Sequence, residues 1–165
     1  MKKAAVFLCI FMAFTAFCLP ARAEPFTGGS ITVDVPGGWT PSFKKDDLDQ
    51  LRLYAPGNEW GMVILSGPSS GMNSEQGARM MAKRIDGTTP SPLPMHPDIY
   101  YFTVHSGVLR CLVMAHGKRI VLIMQTGNGL PLQQDIARIM HSLASTDADE
   151  QAIFDSLKLL VPLGP

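Results

Sequence analysis

Histidine is the side chain best suited to bind a metal or move a proton near neutral pH, and the chain has four of them. They are His96, His105, His116 and His141, and no two have the His-x-x-x-His spacing that places two imidazoles on one face of a helix. His105 and His116 each come just before a predicted turn, and those turns lie at opposite ends of one strand. The spacing therefore predicts no metal site.

Met95 and His96 lie side by side in a proline-rich segment. A thioether next to an imidazole suits a soft ion such as Cu(I). The chain has 10 methionines, however, and most of them fall on helix or strand positions where a flexible apolar side chain fills a core. The pair leaves a second hypothesis open, in which this loop serves a metal or small-molecule carrier.

Catalytic nucleophiles need activating neighbours, which the sequence does not place beside its candidates. Cys111 lies in the apolar run 108–115, where we expect a buried and unreactive thiol. The segment 66–71 precedes a helix and offers backbone N–H groups, but it lacks the lysine and the spacing of a phosphate-binding loop. The carboxylates at 46–49 follow two lysines and are interpreted as a solvated surface. The sequence is expected to contain no Gly-x-Ser-x-Gly nucleophile elbow. We predict no catalytic residues, no cofactor and no enzymatic activity, and an enzyme with an unrecognised site is the remaining alternative.

The two tryptophans can fill a core or contact a partner. Trp39 follows the turn residues 36–38 and is expected to close one end of the core, with its indole N–H bonded nearby. Trp60 lies at a predicted hairpin tip or strand start, where it is a candidate for an exposed contact residue. This tip and the loop 90–97 are the predicted partner surface, because loops on a rigid scaffold often carry binding. The candidate binding residues are Trp60, Met95, His96 and Tyr100.

Composition limits the class of protein. The chain has 165 residues, of which 46% are hydrophobic and 17% charged, and its 14 basic and 14 acidic residues give a net charge of zero. Disordered chains combine low hydrophobicity with high net charge, and nucleic-acid-binding domains carry a basic excess, so neither class fits. The length indicates one domain with a sizeable core. We predict no nucleic acid as a partner, because the chain has no basic excess.

Residues 1–23 have the layout of a secretory signal peptide. Two lysines precede the apolar run 4–19, and Ala21-Arg22-Ala23 forms an A-x-A cleavage site. A retained membrane anchor is the alternative, but the run is shorter than the roughly 20 residues that span a bilayer. Lipid attachment at Cys18 is a further alternative, which the bulky Phe17 before it disfavours. We predict cleavage after Ala23, a periplasmic or secreted protein, and no stable transmembrane anchor after cleavage.

Cleavage changes the totals. The signal peptide contains three of the 14 basic residues and no acidic one, so the mature chain carries a net charge of about −3. It also contains two of the three cysteines, which leaves Cys111 alone. An intramolecular disulfide is then impossible, although an oxidising compartment would permit one.

The mature chain, residues 24–165, is predicted to fold as one domain. Residues 24–29 are interpreted as a flexible leader, 44–50 as a loop or short helical turn, and 88–97, with four prolines, as an irregular surface crossing. Alternation, turn residues and apolar runs predict the strands, and the last of them is continuously apolar and so expected at the sheet centre, covered on both faces. Periods of three and four residues predict the helices, the last with a capping box at Asp147-x-x-Glu150. The predicted strands are 30–35, 51–55, 61–66, 99–105, 108–116 and 119–126, and the predicted helices are 73–85, 131–143 and 147–160.

This order predicts an α+β fold, in which helices cover an antiparallel sheet. The segment Ile31–Trp39, a strand followed by Pro-x-x-Trp, resembles the opening of PsbP-like proteins. The helix from Ser74, the meander around 117–118 and the helix ending at Ser142-Leu143 follow in that family's order. The resemblance covers residues 30–143, and the helix after Thr146 extends beyond it.

The PsbP-like superfamily includes a Ran-binding nuclear import factor and bacterial envelope proteins such as DcrB. The resemblance implies an α/β/α sandwich around an antiparallel sheet, usually without catalysis. Its members act as accessory, assembly or binding proteins. We therefore expect a secreted, non-enzymatic binding or accessory protein of the bacterial cell envelope, with an unknown protein or small molecule as its partner.

Overall fold

The computed structural model describes residues 23–58, 60–105, 108–126 and 133–161. The predicted signal peptide, apart from Ala23, lies outside these ranges, as do the turn predicted at 106–107 and the first two residues of the helix predicted at 131–143. None of the helices in the described ranges combines the length and the apolar character needed to cross a membrane.

The described residues form an α+β structure with two antiparallel sheets and three helices. A 3-10 turn, Pro56–Asn58, follows the fourth strand. The helices are α1 (Ser74–Arg84), α2 (Gln133–Ser142) and α3 (Ala148–Lys158). The strands are β1 (Glu24–Gly28), β2 (Ile31–Val35), β3 (Thr40–Lys45), β4 (Asp49–Tyr54), β5 (Gly61–Pro68), β6 (Ser91–Leu93), β7 (His96–Val104), β8 (Leu109–His116), β9 (Arg119–Thr126) and β10 (Ala144–Ser145).

The larger sheet has seven strands in the order β3-β4-β5-β9-β8-β7-β6. The predicted meander is confirmed, since the consecutive strands β7, β8 and β9 lie side by side in the sheet and pair antiparallel. The predicted central position of β9 is also confirmed, because it lies between β5 and β8 and its residues 120–123 are all buried. A continuous apolar run marks such a strand because both of its faces leave water.

Helices cover both faces of this sheet. Ile120 and Leu122 of β9 pack in one core with α1, whereas Val121 and Ile123 pack in another core with α2 and α3. Successive strand residues point to opposite faces, so the two cores lie on opposite sides of the sheet. Gly77 allows α1 to approach closely, because a Cβ there would lie 2.1 Å from Ile120 Cδ1.

The smaller sheet joins the two ends of the described chain. Its strand order is β1-β2-β10, so β2 has a neighbour from each end. The interpretation of residues 24–29 as a flexible leader is wrong, since Glu24 to Gly28 pair in register with Val35 to Ile31. The segment has little alternation, and its strand structure depends on β2 as a partner.

Two further predictions of non-strand structure, which rested on polar or proline-rich composition, are wrong in part. Residues 44–50 include the end of β3 and the start of β4, which pair through Lys45 and Asp49. Residues 88–97 include the short strand β6, so the segment is not irregular throughout. Both β3 and β6 are edge strands, where lysine and proline are tolerated because one side of the backbone needs no partner.

The predicted start of α1 is confirmed by its cap. Asn73 Oδ1 accepts a hydrogen bond from the Gln76 N–H at 2.9 Å, and the Asn73 N–H donates to Gln76 Oε1 at 3.1 Å. This reciprocal pair satisfies two N–H groups that the first turn leaves without helical partners.

Loss of this cap gives a first testable prediction. Asn73→Ala is expected to lower the free energy of unfolding by about 1 kcal/mol, because the Gln76 N–H loses its acceptor. Asn73→Ser, whose hydroxyl also caps, is the matched control and is expected to lose less. Urea unfolding of the three proteins measures the difference, and equal stability of Asn73→Ala and the parent would contradict the assignment.

Candidate functional site

A cleft of about 380 Å³ opens where the first turn of α1 faces strands β7 and β8. We call it the Tyr100 cleft. Its volume is within the range of small-molecule sites in proteins, although the cleft is open to solvent and its lining is mainly polar. Its lining residues are Asn73, Ser74, Glu75, Pro97, Asp98, Tyr100, Met114, Ala115 and His116.

The wall formed by α1 is held rigidly against the sheet. The Ser74 hydroxyl oxygen accepts a hydrogen bond from the Ala115 N–H of β8 at 2.9 Å. Buried residues of α1 pack on Phe102 and Val113 below the helix. The cap at Asn73 occupies the Gln76 N–H. The cleft is therefore preformed, and part of the hydrogen-bonding capacity at the helix start is already used inside the protein.

Acidic groups surround the phenol of this cleft. The Tyr100 hydroxyl donates to Glu75 Oε2 at 3.4 Å, which is a long hydrogen bond. Glu75 Oε1 accepts from Arg79 Nε at 2.9 Å and from Arg79 Nη2 at 2.8 Å. Local desolvation and then the Glu75 carboxylate raise the pKa of Tyr100, Arg79 opposes this effect, and Asp98 adds to it. Tyr100 is therefore a neutral hydroxyl near pH 7.

The structure brings one predicted binding residue, Tyr100, into this cleft. His96 is partly buried at the start of the same strand, and Met95 precedes it with 85% of its surface exposed. His96 and His116 lie at the same end of the sheet, because β7 begins where the antiparallel β8 ends. Within the described ranges, no three histidine, cysteine or acidic side chains are grouped as metal ligands.

Trp60 is not an exposed contact residue, and that interpretation is wrong. Only 3% of its surface is exposed. Its ring meets that of Trp39 edge to face, with 5.2 Å between ring centroids. The expectation for Trp39 is confirmed, since its indole N–H donates to Asp135 Oδ2 at 3.2 Å. The ring of Trp39, distant in sequence, lies against Trp60, and the local sequence around the hairpin does not reveal this contact.

The most densely bonded polar group in the described structure is Glu150, which the sequence analysis assigned only to a helix cap. It is fully buried. Glu150 Oε2 accepts from the Ser30 hydroxyl at 2.6 Å and from the Ser145 hydroxyl. Glu150 Oε1 accepts from the Ser66 hydroxyl and from Arg119 Nη2, the latter at 3.0 Å. We call these five residues the Glu150 clasp.

The predicted capping box at the start of α3 is only half formed. Asp147 Oδ1 accepts from the Glu150 N–H at 3.0 Å, as a cap should. The Asp147 N–H instead donates to Ser145 Oγ at 3.0 Å, because the Glu150 side chain turns inward. Arg119 lies between the two acids, with its Nε 3.8 Å from Asp147 Oδ2 and with 18% of its side chain exposed.

Hydrogen bonding keeps Glu150 ionised. Burial alone would raise its pKa, but the three serine hydroxyls and Arg119 together outweigh burial and hold the pKa below its ordinary value. Each serine of the clasp donates its proton to the Glu150 carboxylate, and the full burial and lowered pKa of this carboxylate make it a poor base for activating a nucleophile. The geometry therefore supports a structural role for the clasp.

The lowered pKa of Glu150 predicts acid sensitivity. Its contribution to stability is complete above the unfolded-state pKa of about 4.3 and is lost as the pH falls through the folded-state pKa. We expect the urea midpoint of the parent to fall more steeply below about pH 4.5 than that of Glu150→Gln, which has no proton to bind there. Urea titrations between about pH 7 and pH 3 test this, and parallel curves for the two proteins would contradict it.

The expectation that the chain lacks a Gly-x-Ser-x-Gly spacing is wrong, since Gly67–Gly71 has this spacing between a strand and a helix. In a nucleophile elbow this serine is exposed. Here Ser69 is 1% exposed, and its hydroxyl donates to the Gly117 carbonyl at 3.2 Å. The expected burial of Cys111 is confirmed, and desolvation raises the pKa of its thiol to about 12. Neither side chain is presented to a substrate in this structure.

Comparison of the chain with protein-family models and with curated proteins finds no match.

Proposed function

We propose that the mature chain is an exported, non-enzymatic binding protein of the bacterial cell envelope, and that it holds a small organic cation in the Tyr100 cleft. The observation that carries this proposal is the cleft itself. It is preformed, about 380 Å³ in volume, and it combines an aromatic ring with carboxylates.

The charges of the cleft favour a cation over other ligands. Glu75, Asp98 and His116 line it, and of the two carboxylates only Glu75 is paired with a described cation, Arg79. An ammonium group can pair with Asp98 and lie against the Tyr100 ring, whose face attracts cations. An anion would have to compete with the carboxylates, and the cap at Asn73 already occupies the Gln76 N–H.

Export is supported by the composition of residues 1–23. Among the described residues, Glu24, which follows the predicted cleavage site, is the first residue of β1, so cleavage there leaves all of β1 in the mature chain. The lysines, apolar run and A-x-A site of residues 1–23 supply each part that a signal peptide needs.

The PsbP-like resemblance is supported by the environment of its motif. The backbone N–H of Trp39 donates to the Pro36 carbonyl at 3.1 Å, which closes the turn after β2. The turn directs the indole into the core beside Trp60.

Isothermal titration of the mature chain with 1,5-diaminopentane tests the proposed ligand class. We expect the diamine to bind and the uncharged 1,5-pentanediol not to bind. Asp98→Asn is expected to weaken binding by about tenfold, or 1.4 kcal/mol, because the ammonium loses its counter-charge. Tyr100→Leu, which removes the aromatic face, is expected to weaken it as well.

The control is Asp34→Asn, which makes the same charge change at an exposed position of β2. It is expected to leave the affinity unchanged. Equal weakening by both substitutions would show a nonspecific charge effect and overturn the assignment to the cleft. Binding of the diol as tightly as the diamine would overturn the cationic class while leaving a binding function in place.

A further inference from the structure

The N-terminal strands are completed by residues from the other end of the chain. β2 lies between β1 and β10, and its Ile31 and Val33 are fully buried in the core shared with α2 and α3. A two-stranded hairpin is at best marginally stable in water. The β1–β2 hairpin therefore lacks both its third strand and its cover until residues beyond 133 are available.

Hydrogen bonds also connect the N-terminal strands to the last part of the described chain. The Ser30 hydroxyl donates a hydrogen bond to Glu150 Oε2, 120 residues away in sequence. The Asp34 N–H donates to Ser142 Oγ, 108 residues away. The Thr146 N–H also donates to the Ser30 carbonyl, at 3.1 Å. Contacts this distant in sequence form slowly, because the chain must first pay the entropy of closing a long loop.

The Glu150 clasp makes this closure cooperative. A buried carboxylate is strongly destabilising unless its charge and lone pairs are satisfied. Its partners lie on β5 (Ser66), β9 (Arg119), β10 (Ser145) and the turn between β1 and β2 (Ser30). Docking of α3 with its carboxylate therefore requires the centre of the large sheet to be in place already.

We propose that the Glu150 clasp is a late-closing device: the N-terminal hairpin and α3 dock together, after the large sheet, and the fold cannot close before residue 150 is available. For a chain exported in an unfolded state, which rests on the function proposed above, such a device delays folding until nearly the whole chain has crossed. The test of this folding order uses neither the signal peptide nor a ligand. A negative result would therefore overturn the folding order without counting against the proposed function.

Pulse-labelling hydrogen exchange during refolding of the mature chain from urea tests this order. We expect amides of β1 and β2 to gain protection in the same phase as those of α3, and no earlier than those of β8 and β9. Glu150→Gln is expected to slow this closing phase by about tenfold while leaving protection of β8 and β9 unchanged. Ser30→Ala, which removes one bond, is a milder variant should Glu150→Gln fold poorly, and is expected to slow the same phase less.

Glu75→Gln is the matched control, since it makes the same chemical change in an exposed ion pair. It is expected to change neither phase. Protection of β1 and β2 before α3 would overturn the proposal. Equal slowing of every strand by Ser30→Ala would also overturn it, because the clasp would then belong to the first folding step.

Discussion

Replacing Glu150 with alanine is expected to lower the free energy of unfolding by about 3–5 kcal/mol, a large part of the total stability of an ordinary domain. The carboxylate is fully buried and accepts hydrogen bonds from four side chains. Its removal leaves the Arg119 guanidinium without its nearest counter-charge and three serine hydroxyls without their acceptor. Unsatisfied buried donors and an unpaired charge are among the most costly defects in a protein.

Urea unfolding of the mature chain at pH 7 measures this loss. Glu75→Ala is the control, because it removes a carboxylate from an exposed ion pair with Arg79, and it is expected to lose no more than about 1 kcal/mol. A double-mutant cycle with Arg119→Ala would isolate the coupling between the two charges. Similar stability losses for Glu150→Ala and Glu75→Ala would contradict the structural role of the clasp.

Replacing Trp60 with alanine is expected to lower the free energy of unfolding by about 3–5 kcal/mol. The side chain is nearly fully buried, and its ring contacts Trp39 edge to face. The truncation removes apolar burial and the contact between the rings, and it leaves a cavity beside Trp39. Its effect belongs to stability, because the indole is covered by protein and does not line the Tyr100 cleft.

Two readouts separate this role from a binding role. Trp60→Phe keeps an aromatic ring and is expected to lose less stability in urea unfolding than Trp60→Ala. Diamine affinity, measured where the variant is fully folded, is expected to stay unchanged for Trp60→Phe. A stable Trp60→Phe with weakened affinity would contradict the assignment of Trp60 to the core.

Local sequence patterns predicted the elements whose signal lies within a few neighbouring residues. The start of α1 near residue 73 and the continuous apolar run of β9 each identify an element from a few residues, and both are confirmed. The edge strands β3 and β6 were missed, because a lysine- or proline-containing segment becomes a strand only when a neighbour offers it hydrogen bonds. β1 was missed for the same reason.

The candidate site was predictable only in part. Tyr100 was singled out, but its meeting with Glu75 depends on how α1 packs on β7, which no local pattern encodes. Glu150 matched a capping box, and that spacing describes its backbone N–H correctly. The destination of its carboxylate depends on serines 5, 84 and 120 residues away in sequence. The only local signal was an acidic residue within the apolar stripe of α3.

The most direct test of the binding account is a map of where a small organic cation contacts the mature chain. We would titrate 15N-labelled protein with 1,5-diaminopentane and follow the backbone amides by NMR, with 1,5-pentanediol as the uncharged comparison. Saturable shifts from the diamine alone, concentrated at Glu75, Asp98 and Tyr100 and weakened in Asp98→Asn, are the predicted result. Absence of saturable shifts, or shifts concentrated away from the Tyr100 cleft, would contradict the account.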